Sequence, residues 1–508
     1  MAVMRTNNLY PYQAIDSVVM AESNVLLAYD MGLGKTPTTL VTLDELRRRG
    51  DITGPGVIVV PASLKWQWER EVQKWVTNAA TQVIHGGPAQ RLNQYIAAQT
   101  ADYVIMTYDS FVRDWDGHKN LKAFLVLDEA TAIKNFKSKR SQHFKKVRDR
   151  YTVRFALTGT PIENGNPEEL FSILEWVDPE ILGKYWPFEK RYIRRNPLGW
   201  IEGYRNLDDF HARIKPYVLR RTHKEPEVAK YLPKVRHLDP YIVEMDRTTE
   251  KAYTQIADGI LSSLDEMLTK YNGATNNTYL PDHPDGELMG KIQTARMLLD
   301  HPSVVANADG DYATFITSAG RLPASHPKLD AVIEYVNDFL DADPANKVVI
   351  FTSFVHMAEL LEFIWKDMAV KFTGQMSAKA RDEAKLKFQH AAGVRVFVST
   401  DAGGYGLDLP QANLLVNYDQ PWMAGLLKQR NARIRRASSD WDYVVIQDFV
   451  VGGTLEERML DMLAHKMAVS DAIIDGEGIT EDGQLISSLD SLRSFLNKPS
   501  VKEPIRAS

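Results

Sequence analysis

Short apolar runs alternate with longer amphipathic segments in two separate parts of the chain. The first part, residues 9–178, contains six such runs, at 24–30, 56–62, 81–86, 102–108, 124–130 and 153–160. The second part, residues 327–465, contains five, at 347–353, 370–374, 394–400, 413–419 and 442–450. Continuous apolar runs separated by helical segments are typical of buried strands in a mostly parallel sheet. The pattern therefore predicts an α/β protein with two similar lobes.

The region between these two parts, residues 179–326, has a different pattern. It consists of long amphipathic segments with helical periodicity, such as 248–271. The stretch 272–287 is rich in Asn, Gly, Pro and Asp, and we expect it to be an exposed loop. After about residue 471 the chain becomes polar, which predicts a helix or two and then a frayed end.

Composition excludes several kinds of site. The 508 residues are 44% hydrophobic and 25% charged, as in ordinary soluble domains, and they include no cysteine. Disulfides, thiolate zinc sites and cysteine nucleophiles are therefore excluded. No apolar stretch approaches the roughly 18 residues of a membrane span, and the first 20 residues lack the apolar region of a signal peptide. We therefore expect a cytoplasmic protein without a membrane partner.

The overall charge gives no sign of a polyanionic partner, because the net charge is -5. Such a partner would have to meet local basic segments, of which there are three, at 134–150, 220–224 and 428–436. Basic segments of this kind are more often solvated surfaces than binding sites, so their meaning depends on the residues beside them.

A glycine-rich turn lies between the first predicted strand and an amphipathic helix. Gly32 and Gly34 allow backbone N–H groups to approach phosphate oxygens at the helix N-terminus. Lys35 is expected to reach the outer phosphates of a nucleotide, and Thr36 to offer its hydroxyl to Mg²⁺. Tyr29 stands where the strict phosphate-loop pattern has its first glycine, so this segment alone leaves an ordinary loop as the alternative.

Two adjacent carboxylates, Asp128 and Glu129, end a later apolar run within the sequence LVLDEATAIKN. Buried acids are costly unless they are paired or bind a metal. The pair predicts that Asp128 holds Mg²⁺ and that Glu129 orients or deprotonates an attacking water. The alternative is a strand that ends at the surface with a polar cap, and the glycine turn in the same lobe disfavours it.

Three side chains of the last basic segment are spaced for one face of a helix. Arg433 lies four residues after Gln429, and Arg436 lies seven after it. Arginine suits developing phosphate charge, because it stays ionised and presents a rigid fork of donors. We expect these residues to complete the nucleotide site if that face closes over the first lobe. The alternative is a solvated or DNA-binding helix, and Arg430 and Arg435 lie off the face with no predicted role.

The motifs, in their order, resemble those of superfamily 2 helicases and, within them, the SNF2-like (Swi2/Snf2) DNA translocases. The resemblance covers about 9–465 and is carried by LYPYQAI, DMGLGKT, VIVVPASLKWQWEREVQKW, VIMTYDSF, DEATAIKN, LTGTPIEN, VLRRTHKEPEVAKYLPK, KVVIFTSFVHMAELL, FTGQMSAKARDEAKLKF, STDAGGYGLDLPQAN, YDQPWMAGLLKQRNARIRRAS and GGTLEERML. One departure is Thr131, which stands where the family usually has histidine. We expect ATP chemistry to survive this change, while its effect on coupling to DNA is an open question.

The resemblance implies a fold of two tandem RecA-like lobes with helical insertions, with ATP and Mg²⁺ as cofactors. The residues implied to bind the nucleotide are Gln13, which would read adenine, and Gly32, Leu33, Gly34, Lys35 and Thr36. Both lobes are implied to hold a DNA strand through phosphate contacts. The candidates for these contacts are Ser63, Lys65, Thr107, Thr352, Ser353 and Thr400.

The domain boundaries follow from the motif positions. We predict a first lobe with a helical insertion at 1–225, an inter-lobe linker at 226–245, a helical insertion of the second lobe at 246–326, the second lobe at 327–470 and a C-terminal tail at 471–508.

The implied function is ATP-dependent translocation on duplex or branched DNA by a compact monomer, of the kind found in the cytoplasm of bacteria or of phage-infected hosts. Three alternatives stay open. One is a strand-separating helicase that uses the loop 272–287 as a pin. Another is an RNA-stimulated ATPase. The last is a nucleic-acid-binding protein with a weak motor, which the intact set of candidate catalytic residues disfavours.

Overall fold

The computed structural model describes residues 9–195, 201–272, 286–318, 322–401, 407–437, 439 and 441–476. The strands of the described residues are β1 (Val25–Tyr29), β2 (Gly56–Val60), β3 (Thr81–Val83), β4 (Tyr103–Thr107), β5 (Phe124–Asp128), β6 (Val153–Leu157), β7 (Ile193–Arg195), β8 (Ile201–Tyr204), β9 (Val218–Arg221), β10 (Lys234–His237), β11 (Tyr241–Val243), β12 (Val348–Thr352), β13 (Ala369–Phe372), β14 (Val396–Thr400), β15 (Leu414–Asn417) and β16 (Tyr443–Val451).

The α-helices of the described residues are α1 (Pro11–Glu22), α2 (Lys35–Arg49), α3 (Lys65–Trp75), α4 (Pro88–Ala97), α5 (Tyr108–Arg113), α6 (Trp115–His118), α7 (Lys139–Val147), α8 (Pro167–Val177), α9 (Tyr185–Tyr192), α10 (Leu207–Ile214), α11 (Pro226–Ala229), α12 (Arg247–Asn272), α13 (Gly286–Asp300), α14 (Pro302–Ala306), α15 (Asp311–Ser318), α16 (Pro327–Ala342), α17 (Val355–Trp365), α18 (Ala378–His390), α19 (Ala424–Asn431) and α20 (Leu455–Ile474). None of these helices is both long and apolar enough to cross a membrane.

The first lobe is built on a parallel sheet with the strand order β3-β4-β2-β5-β6-β1-β9. Every residue of β1, β2 and β5 is buried, because hydrophobic cores cover both faces of the sheet. The six strands predicted in this part of the chain are confirmed. The segments after β1, β2, β4 and β5 all lie at the carboxyl edge of the sheet, where α/β proteins build their sites.

The second lobe contains a parallel sheet with the order β10-β16-β15-β12-β14-β13, and β11 also pairs with β16. The five strands predicted there are confirmed, and so are the two similar α/β lobes. Strands β10 and β11 come from the segment predicted as a linker, 226–245. They are short and largely exposed: β10 has the polar sequence KVRH, and β11 has only three apolar residues, YIV.

The region 179–326 is mostly helical in its described part. Helices α9 and α10 and the hairpin β7–β8 pack beside the first lobe, whereas α12, α13 and α15 share a hydrophobic core in the second lobe. Most of the loop predicted at 272–287 lies outside the described residues. The same is true of residues 402–406 within STDAGGYGLDLPQAN and of the C-terminal tail from residue 477.

Helix α20 joins the two lobes. Leu455 and Met459, in its first half, belong to the core that contains the helical insertion of the second lobe. Ile473, near its end, belongs to a core of the first lobe, and its carbonyl oxygen lies 2.9 Å from Nδ1 of His211. Immediately after the helix, the Asp475 carboxylate pairs with the guanidinium of Arg220 at 2.7 Å. The C-terminal end of this helix therefore ties the second lobe to the first.

Substitution of Ile473 tests this connection. Ile473→Ala is expected to lower the free energy of unfolding by about 2–5 kcal/mol, because the side chain is fully buried. The change would be measured as a lower urea midpoint for unfolding of the first lobe. Asp461→Ala, at an exposed position on the same helix, should change the free energy by no more than about 0.5 kcal/mol. Equal midpoints for the two variants would contradict the docking of this helix end.

Candidate active site

The glycine-rich turn after β1 requires both of its glycines. Gly32 and Gly34 have φ values of 82° and 83°, in the left-handed region that favours glycine. A Cβ atom on Gly32 would lie 2.3 Å from Nη1 of Arg436, and one on Gly34 would lie 2.2 Å from Nε2 of Gln13. Helix α2 begins at the next residue, Lys35, so the turn presents a helix N-terminus to the space in front of it.

The residues predicted to bind the nucleotide meet around this turn. Gln13 is buried, and its amide Nε2 donates a hydrogen bond to the carbonyl oxygen of Leu33 at 2.9 Å. The ammonium of Lys35 donates to the carbonyl oxygen of Tyr29 at 3.0 Å. Burial lowers the pKa of Lys35, whereas the nearby charges of Glu129 and Asp128 oppose that shift. Lys35 therefore lies between the glycine turn and the acidic pair.

The acidic pair lies at the carboxyl end of β5. The Asp128 carboxylate accepts hydrogen bonds from the Trp68 indole at 2.7 Å and from the backbone N–H of Glu129 at 3.0 Å. Glu129 has a φ of 51°, a left-handed conformation that costs a non-glycine residue of order 1 kcal/mol or more. Such strain is common at functional sites, where the surrounding structure imposes it.

Glu129 has the properties of a general base. Burial raises the pKa of its carboxyl to about 7, the Asp128 charge adds to the shift, and Lys35 and Arg433 oppose it. Its Oε2 is buried and makes no hydrogen bond within the part of the chain that the structure describes. A carboxylate with a free acceptor and a pKa near neutrality is suited to take a proton from water.

The second lobe brings its basic segment to this site, but not on a single helix. Helix α19 ends at Asn431, so the prediction of one helical face through Arg433 and Arg436 is wrong. The backbone carbonyl of Arg433 instead accepts a hydrogen bond from the N–H of Leu409 at 3.1 Å. Gln429, which remains on the helix, donates to the Thr160 hydroxyl of the first lobe at 3.3 Å.

The two arginines nevertheless converge on the first lobe. The Arg436 guanidinium packs against Gly32, and its Nε lies 2.6 Å from the Asp408 carboxylate. Its Nη1 is buried and makes no hydrogen bond to any residue of the described ranges. Arg433 donates to the carbonyl oxygen of Leu407 at 3.2 Å, and its positive charge lowers the pKa of Glu129. The site is therefore built from both lobes.

The two arginines without a predicted role have structural partners. Arg430 is only 1% exposed, and its guanidinium lies 2.6 Å from the Asp401 carboxylate and 3.4 Å from that of Asp419. Arg435 donates to the carbonyl oxygen of His223 at 3.4 Å, which is a further contact between the lobes. Helical spacing set these two arginines apart from Arg433 and Arg436 but did not predict their partners.

A further group below the glycine turn was missed by sequence reasoning. Asp30 accepts hydrogen bonds from Arg220 at 2.7 Å and from the backbone N–H of His223 at 2.9 Å. Burial lowers the pKa of His223 to about 4, so the ring is neutral near pH 7 and its Nε2 lies 2.9 Å from the carbonyl oxygen of Met31. The sequence signals were Asp30 in DMGLGKT and the basic segment 220–224 in VLRRTHKEPEVAKYLPK, but they did not predict these contacts, which fix the base of the turn.

The residues present fit an ATP molecule with Mg²⁺. The buried atoms Glu129 Oε2 and Arg436 Nη1 lack hydrogen-bond partners in the described structure. Both residues lie close enough to Lys35 for their charges to shift its pKa. Thr36, in the first turn of α2, and Asp128 would hold the cation. When bound, Mg²⁺ neutralises charge on the outer phosphates.

The nucleic-acid candidates of the first lobe come together at the carboxyl edge of its sheet. Val60, the last residue of β2, is in register with Thr107, the last residue of β4. Exposed Ser63 and half-buried Lys65 follow β2 within a few residues. The Thr107 hydroxyl accepts a hydrogen bond from the backbone N–H of Ser110 at 3.1 Å, so it also caps α5.

The candidates of the second lobe are less accessible in this conformation. Thr352 and Ser353 donate hydrogen bonds to the Asp419 carboxylate at 2.7 and 2.5 Å. Thr352 is fully buried, and Thr400 is 2% exposed. The attraction of Asp419 to Arg430 holds this group together, so a phosphate contact at Thr352 or Thr400 would require the second lobe to rearrange.

Thr131, the departure from the family pattern, makes no side-chain hydrogen bond within the described residues. Other residues connect the segment that follows the acidic pair to the second lobe. Lys134 pairs with the Glu163 carboxylate, and the carbonyl oxygen of Glu163 accepts a hydrogen bond from the N–H of Gly425 in α19 at 3.1 Å. A Cβ on Gly425 would lie 3.0 Å from Cα of Glu163, so the lobes touch closely here.

We therefore expect Thr131→Ala to change ATP turnover by no more than about twofold, since substitutions without lost contacts change energies by about 0.5 kcal/mol or less. The measurement is steady-state phosphate release with saturating DNA. Lys134→Ala, which breaks the pair with Glu163, serves as the comparison and should lower the DNA-stimulated rate more strongly. A larger loss in Thr131→Ala than in Lys134→Ala would show that the hydroxyl carries the connection.

Comparison with known proteins identifies the family. The profile of the SNF2-related domain matches residues 13–304, and that of the helicase conserved C-terminal domain matches residues 328–438. YwqA of Bacillus subtilis, named as an ATP-dependent helicase/translocase, is 27% identical over 463 residues, which are 90% of this chain and 47% of YwqA. The ISWI chromatin-remodeling complex ATPase ISW2 of Saccharomyces cerevisiae is 26% identical over 504 residues, covering 96% of this chain and 42% of ISW2.

The chain thus spans about half the length, or less, of the curated relatives that it matches. Among solved structures, the helicase domain of Hef from Pyrococcus furiosus has the same fold, with a TM-score of 0.55, 15% identity and coverage of 90% of this chain and 98% of that one. The predicted fold class of two tandem RecA-like lobes with helical insertions is confirmed. Since the SNF2-related domain profile covers more than half of the 508 residues, the chain belongs to the SNF2-related family.

Proposed function

We propose that this chain hydrolyses ATP and uses the reaction to move along DNA. The observation that carries the proposal is the contact of Arg436, from the second lobe, with Gly32 in the phosphate-binding turn of the first. A nucleotide site divided between two lobes makes the chemistry depend on how closely the lobes approach. Opening and closing of such a cleft is a common way to convert ligand binding into domain motion.

The residues divide the chemistry among them. Lys35 and the helix N-terminus after Gly34 hold the phosphates, and Glu129 Oε2 accepts a proton from the attacking water. Arg433 and Arg436 stabilise the charge that develops on the transferred phosphoryl group. All of these side chains already lie around the space in front of the glycine turn.

A direct connection links the DNA candidates of the first lobe to the acidic pair. Tyr108, the residue after Thr107, donates a hydrogen bond from its hydroxyl to the carbonyl oxygen of Asp128 at 2.7 Å. A shift of the backbone at Thr107 on binding a phosphate would therefore be transmitted to the segment that carries Asp128 and Glu129. This connection supports ATP hydrolysis that depends on DNA.

The choice of DNA rests on the relatives, since phosphate contacts do not distinguish DNA from RNA by themselves. One relative is named as a helicase/translocase and another as a chromatin-remodeling ATPase. We propose a duplex or branched substrate by analogy with them.

ATP turnover of the purified chain with different nucleic acids tests the proposal. The conditions are no nucleic acid, single-stranded DNA, duplex DNA, a branched junction and RNA. We expect strong stimulation by one or more of the DNA forms. Stimulation by RNA alone would refute the DNA assignment, and absence of turnover in all five conditions would favour a binding protein with an inactive motor.

A further inference from the structure

Trp66 is an exposed tryptophan in the first turn of α3. Its side chain is 41% exposed, and its ring centroid lies 5.1 Å from that of His85 with an angle of 60° between the planes. The ammonium of the preceding residue, Lys65, lies 6.0 Å from the Trp66 ring centroid. The imidazole of His85 and the ammonium of Lys65 therefore both lie beside the indole of Trp66.

The neighbouring tryptophans of α3 behave differently. Trp68 is 1% exposed, packs in a core of the first lobe and donates its indole N–H to Asp128. Trp75 is half-buried and donates its indole N–H to the Glu71 carboxylate at 2.9 Å. Trp66 belongs to no hydrophobic core cluster of the described residues, and its indole N–H donates no hydrogen bond within them. Burial in a hydrophobic core therefore does not explain a tryptophan at this position.

The rings of Trp66 and His85 lie close to the residues predicted to bind DNA in the first lobe. Trp66 follows β2 and His85 follows β3, and these two strands lie on either side of β4. The contact between the rings therefore crosses the carboxyl end of β4, where Thr107 is the last residue. The ring pair thus lies at the same edge of the sheet as Ser63, Lys65 and Thr107.

We propose that the exposed ring of Trp66, supported by the tilted His85 ring against it, is a stacking platform for an unpaired DNA base whose phosphates are held by Ser63, Lys65 and Thr107. Aromatic side chains stack on the face of any base, so such a contact tolerates any sequence. The bases of an intact duplex are covered on both faces by their neighbours and cannot stack on an outside ring. The platform therefore fits DNA with a single-stranded segment, such as a fork or a branch. This inference rests on the proposed function and narrows its substrate class.

Direct binding measurements can isolate the platform from the motor. The full chain would be titrated, with a non-hydrolysable ATP analogue present, into three fluorescent probes. These are a fork with a single-stranded thymidine arm, the same fork with an abasic arm, and a blunt duplex. The abasic arm retains every phosphate but offers no base, so it removes stacking alone. We expect wild type to bind the thymidine fork about tenfold more tightly than the abasic fork.

Variants at Trp66 should remove this preference selectively. Trp66→Leu is expected to weaken binding of the thymidine fork about tenfold and to leave binding of the other two probes unchanged, whereas Trp66→Phe should retain most of the preference. Trp186→Leu, at a tryptophan that is 71% exposed on α9, is the matched control and should bind as wild type does.

Equal affinity of wild type for the two forks would overturn the platform, and so would an equal loss on all three probes in Trp66→Leu. The test is separate from that of the proposed function. Failure of every DNA form to stimulate ATP turnover would refute the motor, whereas the comparison of thymidine and abasic forks decides the platform by binding alone.

Discussion

Arg436→Ala is expected to lower DNA-stimulated ATP turnover by about 10³-fold or more, the range seen for arginines that act on a transferred phosphoryl group. The guanidinium packs on Gly32, and its buried Nη1 has no partner within the described residues, so it is available to a phosphate. Binding of ADP should change little, because the arginine acts on charge that develops during transfer. The measurement is the steady-state rate at saturating ATP and DNA.

Arg435→Ala is the matched control for this substitution. The Arg435 guanidinium donates to the carbonyl oxygen of His223, and it is Arg436 rather than Arg435 that lies against Gly32, so loss of Arg435 should reduce the rate only modestly, by about tenfold at most. A rate for Arg436→Ala within tenfold of wild type, or a loss equal to that of Arg435→Ala, would contradict the catalytic role.

Glu129→Gln is expected to reduce ATP turnover by about 10²–10⁴-fold, the usual contribution of a positioned general base. Glutamine has nearly the same shape, so the strained backbone at this position and its contacts are retained. It cannot accept a proton, however, and it removes the negative charge beside Asp128. Binding of DNA, measured with labelled duplex, should stay close to wild type, because Glu129 is half-buried beside Lys35 and is not among the residues proposed to contact DNA.

Glu45→Gln provides the control for the loss of a carboxylate in the same lobe. Glu45 lies on α2, where it pairs with Arg48 and Arg49 on the surface. Its substitution should leave the rate within about twofold of wild type. Near-normal turnover in Glu129→Gln would rule out water activation by this residue.

The strands were predictable because most of them are continuous apolar runs buried on both faces of a parallel sheet. Strands β7, β8, β9, β10 and β11 were not identified as strands from the sequence. They lie outside the alternating segments and are only three or four residues long. Pairing with β1, with β16 or, for β7 and β8, with each other therefore defines them.

The residue types of the site were predictable, but their geometry was not. The motifs pointed to Lys35, Glu129 and Arg436, yet helical spacing gave the wrong local structure after Gln429. Tertiary contacts determine that structure, since Arg430 is buried between two carboxylates and the backbone of the next turn pairs with Leu409. Sequence spacing carries no information about such contacts.

The Ser and Thr residues predicted to bind DNA phosphates show a similar limit of prediction from sequence. Ser and Thr at strand ends are equally suited to bind phosphate or to satisfy a nearby carboxylate. In the second lobe Asp419 binds Thr352 and Ser353, and only the structure reveals that. In the first lobe, Trp66 and Trp68 are two residues apart on a helix and therefore face different directions. One supports Asp128, and the other lies exposed at the edge of the sheet.

ATP is proposed to bind to the first lobe and to be acted on by arginines of the second. Affinity for ADP with aluminium fluoride, an analogue of the phosphoryl-transfer transition state, tests this most directly when it is measured with DNA present. Wild type is expected to bind the analogue at least about 10²-fold more tightly than ADP alone. Arg436→Ala should lose most of that difference and keep its affinity for ADP. An unchanged affinity of Arg436→Ala for the analogue would contradict a site shared between the lobes.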